Sequence, residues 1–286
     1  MQVSAPATGA PGRITRPRLL RRLAGPWKAA VLSAPAGYGK TTLAGQYASR
    51  RPALVCRLHP EDREPAHLLG SLLAAAARLR PPVCPRTEHL FVSRRDMERD
   101  GGLLTASLLD ELIPRRGERL VILEDLHSLA GARESLQWLS RIVEESGPRV
   151  RFLITCRGEC PIPLTRLDLH GGTLIVRAED LEFTPEEEGR LLRDSFRLRL
   201  TGTERTAFRA AIGGWAAGLA LAAQRMRRTG RTPEVDPSAA EEVRLDRLLS
   251  FLAEEVFAPL PERLRHALCR VAWLDDLEAV PVRLVL

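Results

Sequence analysis

Ala29-Ala30-Val31-Leu32-Ser33-Ala34-Pro35-Ala36-Gly37-Tyr38-Gly39-Lys40-Thr41-Thr42-Leu43 runs from a short apolar stretch through a glycine-bearing turn into the opening of a helix. A phosphate-binding loop requires that order. Gly37 and Gly39 permit backbone conformations that a Cβ forbids, so successive N–H groups can point at a phosphate chain, and the following helix adds its positive N-terminal end. Lys40 offers a point charge to the β- and γ-phosphates, Thr41 a hydroxyl to Mg²⁺, and Thr42 a hydroxyl to the inner phosphates. The candidate nucleotide contacts are therefore Ala36, Gly37, Tyr38, Gly39, Lys40, Thr41 and Thr42. Measured against G-x-x-x-x-G-K-[ST] the match is one residue short, because Ala34 stands at the first glycine. A glycine turn before an ordinary helix is the competing reading. Against it, Val31 and Leu32 supply a strand, and Leu43, Tyr47 and Ala48 supply a helix face in the required order. Lys28 and Lys40 are also the only lysines in a chain with 43 Lys and Arg, which points to a need for a compact ammonium at position 40.

Working outward, residues 53–58 suit a second strand, and Leu68, Leu69, Leu72, Leu73 and Ala76 recur at helical spacing after Pro65. Residues 81–101 mix proline and charge and read as a surface connection before a helix over 103–112. In Arg119-Leu120-Val121-Ile122-Leu123-Glu124-Asp125-Leu126-His127, four consecutive aliphatic residues suit a strand buried on both faces of a parallel sheet. It delivers Glu124 and Asp125 at its C-terminal end, where open α/β sheets bind ligands. Such an acidic pair would hold Mg²⁺ and orient an attacking water; two surface carboxylates at a strand end are the bland alternative. Residues 150–155 form a further buried strand ending in Cys156-Arg157, which sets Arg157 to sense a γ-phosphate unless it is simply a solvated strand-end arginine. His127 would either polarise water or pack. A last strand is expected over 174–176. Strand and helix alternate throughout, so a parallel sheet with helices on both faces follows.

Beyond Phe183 helical periodicity takes over. Thr184-Pro185-Glu186-Glu187 reads as a helix start with a capping box, and residues 229–237 as a linker before helices over 245–257 and 261–273. Trp215 reads as core of this helical part, with the glycines beside it as the better candidates for approach to a ligand. The domain expectation is a disordered leader over 1–12, a nucleotide-binding domain over 13–177, a helical domain over 178–232, and the beginning of a further domain over 233–286 that the chain leaves truncated.

The 286 residues are 44% hydrophobic, enough for packed cores, and carry a net charge of +7. The positives are interspersed with acids, as in Glu61-Asp62-Arg63-Glu64, which argues against a nucleic-acid surface within this segment. Five cysteines give no paired framework, and Cys156 and Cys160 have no second ligand pair for zinc. No stretch has the apolar length of a membrane span. A reduced, cytoplasmic protein with no membrane partner is expected.

Four stretches together resemble the large bacterial transcription activators of the maltose-regulon activator type, LuxR-type regulators within the STAND class of signal-transducing NTPases. They are Arg16-Pro17-Arg18-Leu19, residues 33–42, Leu123-Glu124-Asp125-Leu126-His127, and Gly214-Trp215-Ala216-Ala217-Gly218-Leu219. The likeness extends over residues 13–286, and it accommodates Ala34. It implies an α/β P-loop NTPase domain, a helical lid and the start of a winged-helix-like domain, closing over ADP at rest and opening with ATP for self-association. DNA would be bound only through a C-terminal domain outside these residues. The site it implies adds Arg18 to the nucleotide contacts, with Thr41, Glu124 and Asp125 at the metal and Glu124, Asp125 and Arg157 in the chemistry. Glu124 stands where Asp is usual, and Ala216 where related proteins carry Pro. The function expected is an ATP/ADP-binding regulatory switch with slow or absent hydrolysis; the alternatives are an ATPase with steady turnover and an interaction module with a relic site.

Overall fold

The computed structural model describes residues 14–49, 51–94, 97–169, 171–229 and 260–271. The expected leader, the linker, the helix over 245–257 and most of the expected last domain lie outside them. Contacts divide the chain into two compact units. One runs through Arg199 and takes in Gly214–Ala223; the other comprises Leu200–Gly213 and the described residues from Gln224 onward.

The first unit is built on a five-stranded parallel sheet. In chain order its early elements are α1 (Pro17–Leu23), β1 (Ala29–Ser33), α2 (Lys40–Ala48), β2 (Ala53–Arg57) and α3 (Pro65–Ala77). There follow α4 (Pro85–Arg94), α5 (Met97–Leu112), β3 (Arg119–Glu124), α6 (Arg133–Glu145), β4 (Val150–Cys156), α7 (Thr165–Leu169), β5 (Thr173–Val176) and α8 (Ala178–Leu181). Then come α9 (Pro185–Arg190), a π-helical turn (Leu191–Ser195), α10 (Gly202–Ile212), α11 (Ala216–Thr229) and α12 (Glu262–Val271).

The strands lie in the order β2-β3-β4-β1-β5, every pairing parallel. Successive side chains of a strand point to opposite faces, and the aliphatic runs divide accordingly. Ala29, Val31, Val121, Leu123, Phe152 and Ile154 join Leu68, Leu69, Leu108 and Leu139 of α3, α5 and α6 in one core. Ala30, Leu32, Leu120, Ile122 and Leu153 join Leu19, Leu23, Leu43 and Tyr47 of α1 and α2 in the other. Helices thus cover both faces, which is why these strands read as continuous apolar runs.

One expectation is overturned. Residues 81–101 are not a connection: α4 occupies Pro85–Arg94 and α5 starts at Met97. The first-turn amides of α4 are capped from a distance. The Glu111 carboxylate accepts from Arg86 N at 3.0 Å and from Thr87 N at 2.8 Å, and also from the Thr87 hydroxyl at 2.7 Å. A cap supplied from 24 residues away leaves no local sequence signature. The capping box at Thr184 is present, with Thr184 Oγ1 accepting from Glu187 N and Glu187 accepting from Thr184 N. In the second unit, α10 starts with the same device, Thr201 with Glu204.

Candidate nucleotide site

β1 ends at Ser33, and α2 begins six residues after Ala34, so the intervening loop lies at the C-terminal edge of the sheet. Gly37 and Gly39 both have φ of +80°, the region closed to most residues with a Cβ. Gly39 is the N-cap of α2 and offers no side-chain cap. The first-turn N–H groups of α2 therefore keep the unpaired donors of a helix start, facing an anion's natural position. Lys40 is buried, and its Nζ donates to the carbonyls of Ala34 at 2.6 Å and Pro35 at 2.8 Å. An ammonium has three donors, and the third has no acceptor among the described residues. Burial lowers the Lys40 pKa, the Arg157 charge lowers it further, and Asp125 and Cys156 oppose them. Thr41 is exposed in the first helical turn and Thr42 half-buried behind it.

The two carboxylates are differently placed. Glu124 ends β3 opposite Arg57 of β2, and burial raises its pKa, Arg57 lowering it and Asp125 raising it. Asp125 turns the chain with φ of +61°, donates its N–H to Thr155 Oγ1 at 3.0 Å, and pairs through Oδ2 with Arg57 Nε at 3.1 Å. Asp125, not Glu124, is the acid that acts on Lys40. β4 lies between β1 and β3, with Cys156 level with Ser33, so Arg157 emerges between the loop and the acidic turn. His127 sits there as well. Its pKa is lowered by burial first, then by Arg157, with Asp125 opposing and Lys40 adding, and its buried Nδ1 has no hydrogen-bond partner among the described residues.

Lys40, Asp125, Arg157 and His127 are thus brought together. Arg18 is not with them: its guanidinium donates to the carbonyls of Asp180 at 2.8 Å and Glu182 at 2.9 Å and to Glu187 Oε2 at 3.3 Å. Arg16 joins it there, buried, paired with Glu187 Oε2 at 2.9 Å and lying over the Phe183 ring at 4.4 Å. Tyr38 leans the same way, its pKa raised by burial and by Glu182 and Glu179.

Trp215 is not simply core. Its Nε1 donates to Ala36 O at 3.2 Å, and Ala217 N donates to Gly37 O at 2.9 Å, so the start of α11 is fastened to the loop itself. Gly214 serves packing: a Cβ there would meet Glu182 Cβ at 2.6 Å and Phe183 N at 2.9 Å, and its carbonyl accepts from Phe183 N at 2.8 Å. These contacts, Arg57 on Asp125 and Trp215 on the loop, were beyond sequence reasoning. An arginine closing an apolar strand was the one visible hint of the first; the second has no local signal.

No protein-family profile matches the chain. The serine/threonine-protein kinase PknK of Mycobacterium tuberculosis (strain ATCC 25618 / H37Rv) is 28% identical over 264 residues, 89% of this chain and 23% of that protein. The HTH-type transcriptional regulator MalT of Vibrio cholerae is 26% identical over 276 residues, 94% of this chain and 30% of that one. The chain thus spans less than a third of the length of either relative. Among solved structures, the Walker-type ATPase PABY2304 of Pyrococcus abyssi superposes with a TM-score of 0.55 at 16% identity, covering 89% of this chain and 76% of that one. The fold is that of a P-loop NTPase.

In this P-loop NTPase fold the donor set suits a phosphate chain with a small hard cation. Helix-start amides, an ammonium with a donor in reserve and the Arg157 guanidinium lie at one edge of the sheet, with the exposed Thr41 hydroxyl in the first turn of α2 and Asp125 acting on Lys40. No group of three or more His, Cys, Asp or Glu among the described residues forms a metal cage by itself. A cation here would complete its shell with phosphate oxygens and water, as Mg²⁺ prefers. No helix among the described residues is long and apolar enough to cross a membrane.

Proposed function

We propose that the chain is an ATP/ADP-binding regulatory switch of a bacterial transcriptional regulator, a STAND-type module that turns over slowly or not at all. The observation that carries this reading is the fastening of Trp215 and Ala217 to the carbonyls of Ala36 and Gly37. A loop that binds phosphates and is gripped by a following helix has a built-in way to report what it holds. Ala36 to Thr42 would take the phosphates, Lys40 exchanging a loop carbonyl for a phosphate oxygen. Thr41 and Asp125, with Glu124, would hold Mg²⁺, which would supply positive charge to neutralise the phosphates. Arg157 would read the γ-phosphate. A switch needs the ligand to bind two arrangements with different affinity, and an arginine reached only by ATP supplies that difference.

The similarity to MalT supports a transcriptional setting, with DNA contacted by a part of the protein outside these residues and self-association on activation. Domains 13–177, 178–232 and 233–286 would be the nucleotide domain, the lid and the start of a winged-helix-like element, in a cytoplasmic protein. Arg18 would act indirectly in this setting, by holding residues 180–187.

Titration calorimetry with ADP and with ATP, each with Mg²⁺, tests the reading. Saturable binding of both is expected, lost by about 100-fold or more in Lys40→Ala; no heat and no thermal stabilisation would leave a relic loop. Steady turnover is the second reading, favoured by the upward shift of Glu124, which suits a general base. It requires a rate that falls in both Lys40→Ala and Glu124→Gln.

A further inference from the structure

Cys156 ends β4, and Cys160 follows across Arg157-Gly158-Glu159. Gly158, at φ of +72°, folds this turn back. Its carbonyl accepts from the Ser33 hydroxyl at the end of β1 and from the Cys156 thiol at 3.4 Å. Ala34 N in turn donates to Cys156 O at 3.3 Å, so the turn is laid directly against the phosphate loop. Half-buried Cys160 packs on the same apolar cluster that contains Cys156 and Ile162.

Cys156 and Cys160 thus share one turn and one apolar cluster, and each thiol acts on the titration of the other. Contact with the Cys156 thiol lowers the pKa of Cys160 despite burial, and the same contact, then burial, raises that of Cys156. Cys160 is the more accessible member, half-buried where Cys156 is fully buried. Cys56 and Cys84 differ from both: each is buried, without a cysteine acting on it, and burial pushes each to about 12.

We propose that Cys156 and Cys160 form a thiol modification site, an intrachain disulfide pair that closes the Arg157 turn in response to a low-molecular-weight disulfide. The Cys160 thiolate attacks one sulfur of the reagent RSSR, forming a Cys160–S–SR bond and expelling RS⁻. Cys156 loses its proton and attacks the Cys160 sulfur, expelling the second RS⁻. Two protein thiols are oxidised by two electrons, and one RSSR is reduced to two RSH. Disulfide formation stands on the placement of both cysteines in one turn and one apolar cluster. Its consequence, that a closed turn fixes Arg157 and the carbonyl of Cys156 beside the loop and so alters nucleotide affinity, rests on the function proposed above.

The test treats the full chain with oxidised glutathione, then blocks remaining thiols with iodoacetamide and digests with trypsin. Trypsin cuts after Arg157, so the expected product is two peptides joined until reduced, absent from Cys160→Ser. A glutathione adduct persisting on Cys160, or oxidation confined to exposed Cys269, overturns the pair; a Cys269→Ser background excludes links between chains. Affinity for ADP is then compared in reduced and oxidised protein. A fall of about ten-fold on oxidation, absent from Cys160→Ser under the same reagent, is expected. An unchanged affinity overturns the regulatory consequence, whereas absence of ADP binding to the reduced protein overturns the proposed function and leaves the mapped disulfide standing. Circular dichroism of Cys160→Ser confirms that the comparison is between folded chains.

Discussion

Gly37 and Gly39 share a φ of +80° but not a neighbourhood. A Cβ on Gly39 meets only Ala216 Cβ, at 4.0 Å, so alanine there costs the left-handed backbone and little else, about 1 kcal/mol. A Cβ on Gly37 would lie 2.5 Å from Trp215 Nε1 and 2.8 Å from Ala217 Cβ, closer than atoms approach. The strained backbone and the displaced helix start then add, to about 3 kcal/mol. Chemical denaturation of the two alanine variants should therefore rank Gly37→Ala as clearly the less stable; equal losses would mean that Trp215 is not seated on the loop. The two lysines are explained at the same scale. Lys28 donates to Ser146 Oγ, Gly147 O and Val150 O, and Lys40 to two loop carbonyls, each a point-like donor among converging acceptors that a planar guanidinium cannot match.

Among the elements, the sharpest interaction to test is the tie between the start of α1 and the start of α9. Arg16 and Glu187 are both buried, and Glu187 also receives Arg18 and the Thr184 N–H. Burial alone would raise the Glu187 pKa, but the hydrogen bond and charge of Arg16, then Arg18, hold it below the ordinary 4.5. A carboxylate whose native pKa is depressed contributes its stability in full above about 4.5 and loses it as the pH falls through the native value. Glu187→Gln should accordingly be less stable than the parent at neutral pH, by about 3 kcal/mol, with the gap narrowing steadily under acid titration below the unfolded carboxyl range. A gap independent of pH would assign the loss to shape and not to charge. The elements also show what was legible beforehand. All five strands lie where apolar runs placed them. β1, β3 and β4 are buried on both faces and need no context to be recognised, whereas the edge strands β2 and β5 leave Val55 and Ile175 exposed and were marked by short apolar runs alone. Their order was not legible, because nothing within β3 says that β4 will separate it from β1. α4 was missed for a related reason: its cap is Glu111, on α5, and Glu111→Ala should cost about 1–2 kcal/mol. Within the site, residues adjoining the motifs were readable and their partners were not, Asp125 without Arg57 and Gly37 without Trp215.

For the molecule as a whole, the proposed switch depends on one mechanical link, the grip of the α11 start on the loop. Trp215 Nε1 holds Ala36 O while Lys40 holds Ala34 O and Pro35 O, so both grips act on carbonyls of the same short loop. A phosphate chain that draws Lys40 away from those carbonyls changes the loop that Trp215 touches, and the indole should register this in its emission. Mg²⁺-ADP and Mg²⁺-ATP are therefore expected to shift the tryptophan fluorescence by different amounts. The shift should vanish in Trp215→Phe, which keeps Trp27, Trp138 and Trp273. Phenylalanine preserves most of the ring's contact and removes a single hydrogen bond worth about 1 kcal/mol, so nucleotide affinity should change by no more than about ten-fold. The variant thus separates sensing from binding. If the signal persists in Trp215→Phe, or if it is identical for the two nucleotides, the loop and the helix that grips it do not form the element that distinguishes them.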